Sequence, residues 1–220
     1  MFKIILFVSF VNILNACTHT QSEKIDNIYQ QIIPLIDAFE LIADEKIPPA
    51  LLKHSEAILI AEITKSGLLL GLETGNGILT IRKQQKWSNP ILINMRNMSL
   101  GLQAGIEVQK LVVIFTDRNE AIQFAKGNSK MCFGFNVTIG PLTNEISTNT
   151  IFDKNVYAYT TGMGIFGGMS FKTASLTVDN AANRSLYGKI VSFDDIVNGN
   201  AKKSAIIISL QNTLKERTSE

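Results

Sequence analysis

Short apolar runs separated by glycines fill the chain between residues 57 and 178, and this pattern restricts the fold more than any other feature. Such runs, bounded by turn-forming residues, are typical of β-strands. Gly75-Asn76-Gly77 between two of them predicts a hairpin across residues 67–79, since glycine readily takes the positive φ of a tight turn. We therefore predict an α+β fold with a curled, mostly antiparallel sheet of short strands. Further candidate strands cover residues 57–63, 91–95, 102–108, 111–115, 131–139, 156–161 and 169–178.

An amphipathic helical segment precedes the strands. Apolar residues recur at helical spacing from Ile25 to Ile42, and its polar face is mainly acidic. Pro34 within it is expected to kink the helix or to divide it, because proline lacks an amide N–H and clashes with the preceding turn. Near the end of the chain, Ile206-Ile207-Ile208 suits a strand as well as a helix. Short helices are predicted after Asp117, after Asp179 and over residues 205–214.

The composition excludes several classes of protein. Only 18% of the 220 residues are charged, and 21 Lys and Arg nearly balance 19 Asp and Glu, so the chain lacks the strong basic field of a nucleic-acid binder. Two His and two Cys are too few for a His/Cys zinc site or a disulfide framework. We expect no metal, no other cofactor and no nucleic-acid partner. The hydrophobic content of 45% suffices for one sizeable core.

The N-terminal segment has the pattern of an export signal. Lys3 precedes a nearly all-apolar run over residues 4–14, which is too short to span a bilayer, since a span takes about 20 residues. Leu14-Asn15-Ala16-Cys17 then resembles the bacterial lipobox, which implies cleavage before Cys17 and a lipid anchor on its thiol. An ordinary signal peptide, or a buried apolar strand with a chance Cys, is the alternative.

The lipobox implies three parts in this chain, which are a signal peptide at residues 1–16, a polar tether at 17–23 and a single domain at 24–220. Removing the signal takes away only Lys3 among the charged residues, so the remainder stays nearly neutral. Thr18 follows the Cys in place of the Asp that marks inner-membrane retention. The comparison therefore favours a lipid-anchored protein of the outer membrane that faces the periplasm.

A glycine motif in residues 162–167 matches the dinucleotide fingerprint GxGxxG only in its letters. That fingerprint needs a helix that opens at the third glycine and an acid about 20 residues on, whereas residues 168–173 alternate like a strand. His19 and His54 have no obvious Ser or Cys partner for nucleophilic catalysis. Asp194-Asp195 fits a solvated helix start better than a cation site. We therefore expect no catalytic residue and no enzymatic activity.

Two motifs carry a resemblance to a known family. The first runs from Tyr159 through the glycine-aromatic stretch 164–170, and the second, D-x-x-x-N-x-x-L-Y-G, covers residues 179–188. Together they are similar to the SYLF domain family, and the match extends over about residues 54–214. The resemblance implies a lipid-binding module of the kind found in bacterial lipoproteins and in eukaryotic actin-associated and endosomal proteins. Weaker matches follow in the same order at residues 67–79, 87–90, 99–105 and 134–141.

The resemblance implies a non-enzymatic lipoprotein domain that contacts membrane phospholipid or another envelope component. The alternative is a structural or adaptor protein that binds a protein partner through the same surface. The N-terminal helix is acidic where lipid-binding relatives are basic, which weakens the expectation of anionic headgroup binding. The oligomeric state stays open. The candidate residues for lipid or ligand contact are Arg82, Lys83, Lys86, Trp87, Phe166, Phe171, Arg184 and Tyr187.

Structural roles are the alternative for several of these candidates. Phe166 and Phe171 suit the core as well as a lipid groove. Arg184 and Tyr187 equally suit a hydrogen bond that fixes the last helix. The sequence alone leaves both interpretations standing.

Overall fold

The computed structural model describes residues 26–67, 70–100, 105–126, 138–139, 154–161, 175–201 and 203–219. The predicted anchor at Cys17, the candidates Phe166 and Phe171, the glycine motif at 162–167 and most of the strand predicted at 131–139 lie outside these residues. The helices of the described part are α1 (26–45), α2 (Pro49–Lys53), α3 (Arg118–Ala125), α4 (Asn180–Tyr187), α5 (Phe193–Val197) and α6 (Ala205–Ser219). Its strands are β1 (Ala57–Gly67), β2 (Leu70–Lys83), β3 (Lys86–Trp87), β4 (Ile91–Leu100), β5 (Gly105–Phe115), β6 (Thr138–Ile139), β7 (Val156–Thr160) and β8 (Ser175–Val178).

One sheet organises the described part of the chain. Its strands lie in the order β6-β7-β5-β1-β2-β4-β8, and β3 pairs with β2 beside this path. Neighbouring strands are antiparallel except for β6 and β7, which are parallel. The predicted α+β class, with a curled, mostly antiparallel sheet, an N-terminal helix and short helices, is confirmed. The central strands are longer than predicted, with 11 residues in β1 and 14 in β2.

The turn predicted at Gly75-Asn76-Gly77 is wrong. These residues lie inside β2 opposite residues 61–63 of β1, and the chain reverses beyond Gly67 instead. A Cβ atom added to Gly77 would lie 2.7 Å from the carbonyl oxygen of Ile60. Glycine is needed here because two backbones approach closely, and in a sequence this requirement looks the same as the positive φ of a turn.

The core covers both faces of the sheet where β1 and β5 pair. Residues 57–61 and 111–115 are buried without interruption, and neighbours along a strand point to opposite faces, so each face must be covered. Phe124 of α3 stacks on Phe115 with ring centroids 6.1 Å apart. Helix α1 continues through Pro34, because its buried side chains before and after the proline belong to one core. Of the two effects predicted for Pro34, the division of the helix is wrong, and the kink stays a prediction.

The short helices begin where the sequence predicts. The Asp117 side chain accepts a hydrogen bond from the Asn119 amide at 2.6 Å, and the Asp179 side chain accepts one from the Ala182 amide at 2.8 Å. These bonds satisfy amide groups that a helix start leaves unpaired. Gly188 ends α4 with a φ of 70°. The isoleucine run near the end of the chain is helical, as part of α6.

The second half of the D-x-x-x-N-x-x-L-Y-G motif attaches α4 to β4. The Asn183 side chain accepts a hydrogen bond from the Leu92 amide and donates one to the Leu92 carbonyl, both at 3.0 Å. The Tyr187 hydroxyl donates to the Pro90 carbonyl at 2.5 Å. Each of these side chains is buried.

Among the described helices, none combines the length and the apolar character that a membrane span requires.

Candidate functional site

A cleft of about 510 Å³ lies at the end of the sheet where β2 turns into β3. Its walls come from the end of α2, the β2–β3 turn, the start of α3 and the last turn of α6. Four of its lining residues are cationic and one is acidic, and we call it the basic cleft. The lining residues are Lys53, Glu56, Arg82, Gln84, Gln85, Trp87, Arg118, Lys215, Thr218 and Ser219.

Arg82 is the most constrained cation of the basic cleft. Its Nη1 donates to the Lys53 carbonyl at 2.9 Å, and its guanidinium carbon lies 4.8 Å from the centre of the Trp87 ring. Partial burial lowers the pKa of Arg82, while the Glu56 carboxylate acts in the opposite direction and raises it. An arginine remains protonated in proteins, so a positive charge is held at a fixed place in the cleft.

Arg118 lies beside Arg82 and is fixed through the backbone. Its Nη1 donates to the Arg82 carbonyl oxygen, so the start of α3 is tied to the end of β2. A guanidinium carries five N–H donors in a fixed plane, and one bond leaves the other donors available. Lys53 and Lys215 add flexible ammonium groups on exposed positions of the cleft. The four cations thus differ in mobility but share one cavity.

The back wall of the basic cleft is held by hydrogen bonds between β3 and α6. Trp87 Nε1 donates to Thr218 Oγ1 at 3.2 Å, and Gln211 Nε2 donates to the Trp87 carbonyl at 2.9 Å. Trp87 is only 6% exposed, so it forms the floor of the cleft rather than a ring on which a ligand stacks. Trp87, which the sequence predicts as a ligand candidate, therefore lies in the cleft and mainly shapes its wall.

The rim of the cleft contains an unusual backbone conformation. Gln84 has a φ of 54° and is the one non-glycine residue of the described part with a positive φ. A left-handed conformation costs about 1–2 kcal/mol for a residue with a Cβ. It allows a two-residue turn between β2 and β3 that places Gln84 and Gln85, both exposed, at the rim. Both side-chain amides can donate or accept hydrogen bonds there.

The other predicted residues lie outside this lining. Lys83 Nζ donates to Asn198 Oδ1 at 2.6 Å, and Lys86, opposite Lys83 in the ladder, is exposed. Arg184 is exposed on α4. Tyr187 is buried on Pro90, and burial raises the pKa of its hydroxyl above the ordinary value. Ligand contact by these residues, and by Phe166 and Phe171 beyond the described part, stays a prediction.

Three cations of the basic cleft were missed by sequence reasoning. Lys53, Arg118 and Lys215 are isolated basic residues in unrelated segments, and no spacing rule connects them. Only the pairing of β2 with β3 and the docking of α6 bring them together. A single cation in a sequence is typical of a solvated surface, so the local pattern holds no signal for this site.

The arrangement suits the binding of an anionic group. Guanidinium groups hold carboxylates or phosphates through paired hydrogen bonds, and ammonium groups add charge without fixed direction. Within the described part of the chain, no cluster of His, Cys, Asp and Glu side chains could hold a metal ion. The cationic and hydrogen-bonding groups of the cleft suit recognition of an anion by charge and hydrogen bonding.

Comparison with known proteins identifies relatives of this sequence. The sequence matches the family profile described as "Ysc84: Las17-binding protein actin regulator" over residues 96–217. It is 31% identical over 157 residues to SH3 domain-containing YSC84-like protein 1 of Xenopus laevis, which covers 70% of this chain and 46% of that protein. The human protein of that name is 29% identical over 167 residues, covering 74% and 48% of the two chains. Protein YSC84 of Saccharomyces cerevisiae is 30% identical over 167 residues, covering 73% and 36%. The chain thus spans about half the length, or less, of these curated relatives.

Proposed function

The chain belongs to the Ysc84 family, which confirms the predicted SYLF domain, and from this premise we propose that it is a non-enzymatic adaptor that binds an acidic segment of a protein partner in its basic cleft. The family description names Las17 binding, and a yeast relative is called LAS seventeen-binding protein 3. These names support the predicted adaptor alternative more than the predicted phospholipid contact. The chain covers only part of its relatives, so the proposal concerns this domain alone.

The observation that carries the proposal is the convergence of four cations on one cavity, with a single carboxylate among its described lining residues. Their positions are set by strand pairing, by the bond from Arg118 to Arg82 and by the docking of α6. A preorganised site loses less conformational entropy on binding than a set of free side chains. An acidic side chain entering the cleft would meet Arg82 and Arg118 on fixed supports and two mobile lysines around them.

A protein segment fits the cleft better than a membrane surface does. The formal net charge of the whole chain is only +2, and a membrane-bound domain gains about 1 kcal/mol for each basic residue near an anionic surface. The cations here surround a cavity instead of forming a flat patch, which favours an inserted side chain. Phospholipid headgroups carry the same kind of charge, so the predicted lipid contact is an outcome that the test below distinguishes.

We also propose the location that the lipobox predicts. A lipid on Cys17 would hold the domain at the outer membrane, facing the periplasm, on the tether of residues 17–23. Support comes from the basic residue, the apolar run and the lipobox residues in that order. An anchored adaptor needs no membrane affinity of its own, which agrees with the modest net charge.

Fluorescence anisotropy with the full chain and a short labelled peptide rich in Asp and Glu tests the cleft. The informative variant is Lys53→Gln with Lys215→Gln, because both lysines are exposed and their removal breaks no hydrogen bond that fixes the fold. We expect binding about tenfold weaker, since each exposed ion pair contributes up to about 1 kcal/mol, and a further decrease as salt is added.

Arg184→Gln is the matched control, because it removes an exposed cation that does not line the cleft. It should bind the peptide like the unchanged chain. Vesicles of neutral and of anionic phospholipid are tested in parallel. If the lysine variant and the control bind the peptide equally well, the proposal that the basic cleft binds acidic segments is wrong. If the chain binds no peptide but binds vesicles, and the lysine variant loses this vesicle binding, the partner of the cleft is a lipid and not a protein.

A further inference from the structure

A second cavity, of about 340 Å³, lies between the first half of α1 and the middle of the sheet. We call it the polar groove, and it shares no lining residue with the basic cleft. Its helix side presents Gln30, Gln31 and Pro34, and its sheet side presents Glu62, Asn76 and Asn94. Almost all of its hydrogen-bonding groups are amides, hydroxyls or carboxylates, so its chemistry is unlike that of the basic cleft.

The sheet side of the polar groove belongs to a polar row that crosses five strands. Lys110 of β5 lies opposite Glu62, Glu62 opposite Asn76, Asn76 opposite Asn94, and Asn94 opposite Thr177. Residues directly opposite each other in a sheet point to the same face. This face therefore has a continuous row of polar side chains above the middle of the sheet.

The neighbouring row on the same face is entirely apolar. It consists of Val112, Ile60, Ile78 and Leu92, which are opposite one another and buried. The buried apolar row and the polar row lie only two residues apart along each strand. Since α1 forms the other wall, these polar groups line a groove that is open to solvent, and Asn76, Gln30 and Gln31 are exposed there.

The side chains at the two ends of the polar row have hydrogen-bond partners, whereas the side chain in its centre has none among the described residues. Lys110 Nζ donates to the Glu62 carboxylate, and the Thr177 hydroxyl donates to Asn94 Oδ1 at 2.6 Å. Asn76 between them makes no side-chain hydrogen bond within the described residues. Within the part of the chain that the structure describes, the side-chain amide of Asn76 and the NH₂ group of Asn94 have no protein partner and can hydrogen-bond a ligand or water.

Pro34 adds a backbone acceptor to the helix side. A proline has no amide N–H, so the carbonyl of Gln30, four residues before it, lacks its usual helical donor. Gln30 and Pro34 both line the groove, which places this acceptor at its edge. The proline costs α1 one hydrogen bond in the interior of the helix, at residues that line the groove.

From this arrangement we propose that the polar groove is a binding site for a neutral saccharide. Primary amides and hydroxyls both donate and accept hydrogen bonds, which matches the hydroxyl and acetamido groups of a sugar and does not select a net charge. The charge of Glu62 is balanced by Lys110, and Asp179 uses one oxygen to cap α4. Leu35 of α1, which is buried, gives the helix side of the groove an apolar patch for the C–H face of a sugar ring.

Nuclear magnetic resonance of the isotope-labelled full chain with N,N′-diacetylchitobiose tests the proposal. We expect saturable shifts of the side-chain amide signals of Gln31, Asn76 and Asn94. Asn76→Ala should weaken binding about fivefold, the effect of one or two lost hydrogen bonds, without loss of folding because this side chain is exposed. Gln85→Ala, which removes an exposed amide at the basic cleft, is the matched control and should leave saccharide binding unchanged.

Pro34→Ala separates binding from folding. Alanine restores the helical N–H, so the Gln30 carbonyl becomes engaged, and the chain should unfold at a higher temperature while it binds the saccharide more weakly. Absence of saturable shifts at the groove amides, or equal affinities of Asn76→Ala and the unchanged chain, overturns the proposal. Stronger binding of glucose 6-phosphate than of the neutral disaccharide overturns it as well. The acidic-peptide measurement with the basic cleft is independent of each result.

Discussion

At the scale of single residues, Asn183 takes the place of a neighbouring strand for β4. Its side chain accepts from the Leu92 amide and donates to the Leu92 carbonyl, to which the Asp179 amide also donates at 2.9 Å, and its NH₂ group donates to the Asp179 carbonyl at 2.8 Å. Asn183→Ala leaves the buried Leu92 amide without a partner, so we expect a loss of about 2–3 kcal/mol of unfolding free energy. Urea unfolding measures it. Arg184→Ala, an exposed neighbour, should change stability by less than about 0.5 kcal/mol, and equal losses in both variants would contradict the pairing.

A second residue-scale prediction concerns the close approach of β1 and β2. A Cβ atom at Gly77 would lie 2.7 Å from the Ile60 carbonyl oxygen and 2.8 Å from the Ala61 Cβ atom. Gly77→Ala must push the strands apart, so we expect a loss of about 1–3 kcal/mol in thermal or urea unfolding. Asn76→Ala, an exposed substitution beside it in β2, is the control. A Gly77→Ala chain as stable as this control would show that the strands separate without cost.

The residue scale also shows the limit of sequence reasoning. Arg82 is a candidate because it lies in a small cluster of basic residues, and Trp87 because it lies in a segment similar to the family. Lys53, Arg118 and Lys215 meet them only in three dimensions, through contacts that no local pattern contains. The candidate site could therefore be predicted in part, from the element that is local in sequence, and the rest depends on tertiary packing.

At the scale of elements, helix starts were predictable because a cap joins residues only two or three positions apart. Asp117 and Asp179 illustrate this, since each accepts a bond from an amide in the first turn of its helix. The sequence left open whether α1 continues through Pro34 with a kink or divides there, because buried side chains on both sides of the proline decide its course. The turn predicted at Gly75-Asn76-Gly77 is wrong for a different reason, because the close approach of β1 and β2 requires glycine just as a tight turn does.

Helix α5 gives an element-scale prediction about pH. The Ser192 hydroxyl and then the Ser192 amide hydrogen-bond to the Asp195 carboxylate and lower the pKa of Asp195 below its ordinary value of 3.8, while desolvation acts in the opposite direction. A lowered pKa in the folded state means that the cap stabilises α5 above the ordinary pKa and loses this effect as the pH falls through the lowered value. Ser192→Ala should return the pKa of Asp195 toward 3.8, as a carboxyl-detected magnetic resonance titration would show. Ser209→Ala on α6 is the control, and an unchanged Asp195 titration in Ser192→Ala would refute the assignment.

At the scale of the whole molecule, a nearly balanced charge coexists with a local concentration of cations. The formal net charge is +2, yet the basic cleft has four cations and one acid, while the exposed face of α1 carries Asp26, Asp37 and Asp44. One of these acids is already paired, since Arg217 of α6 donates to Asp44 at 2.5 Å. The composition thus correctly indicated a weak overall field, but it contained no information about where the charges would gather.

The last prediction concerns what holds the whole molecule at a membrane. With a net charge of +2 the domain gains little from anionic lipid, whereas each CH₂ group of an inserted acyl chain contributes about 0.8 kcal/mol, so the anchor proposed on Cys17 should dominate. In a bacterial host, the unchanged protein should fractionate with membranes at low and at high salt, and Cys17→Ser should be released or accumulate as an uncleaved precursor. Cys132→Ser is the matched control and should remain with membranes, because the lipobox contains only Cys17. Mass spectrometry of the N-terminal peptide identifies the modification directly. A Cys17→Ser protein that stays on membranes with a normally cleaved and unmodified N-terminus would mean that the fold itself supplies the attachment, and salt dependence of that attachment would then indicate the basic cleft.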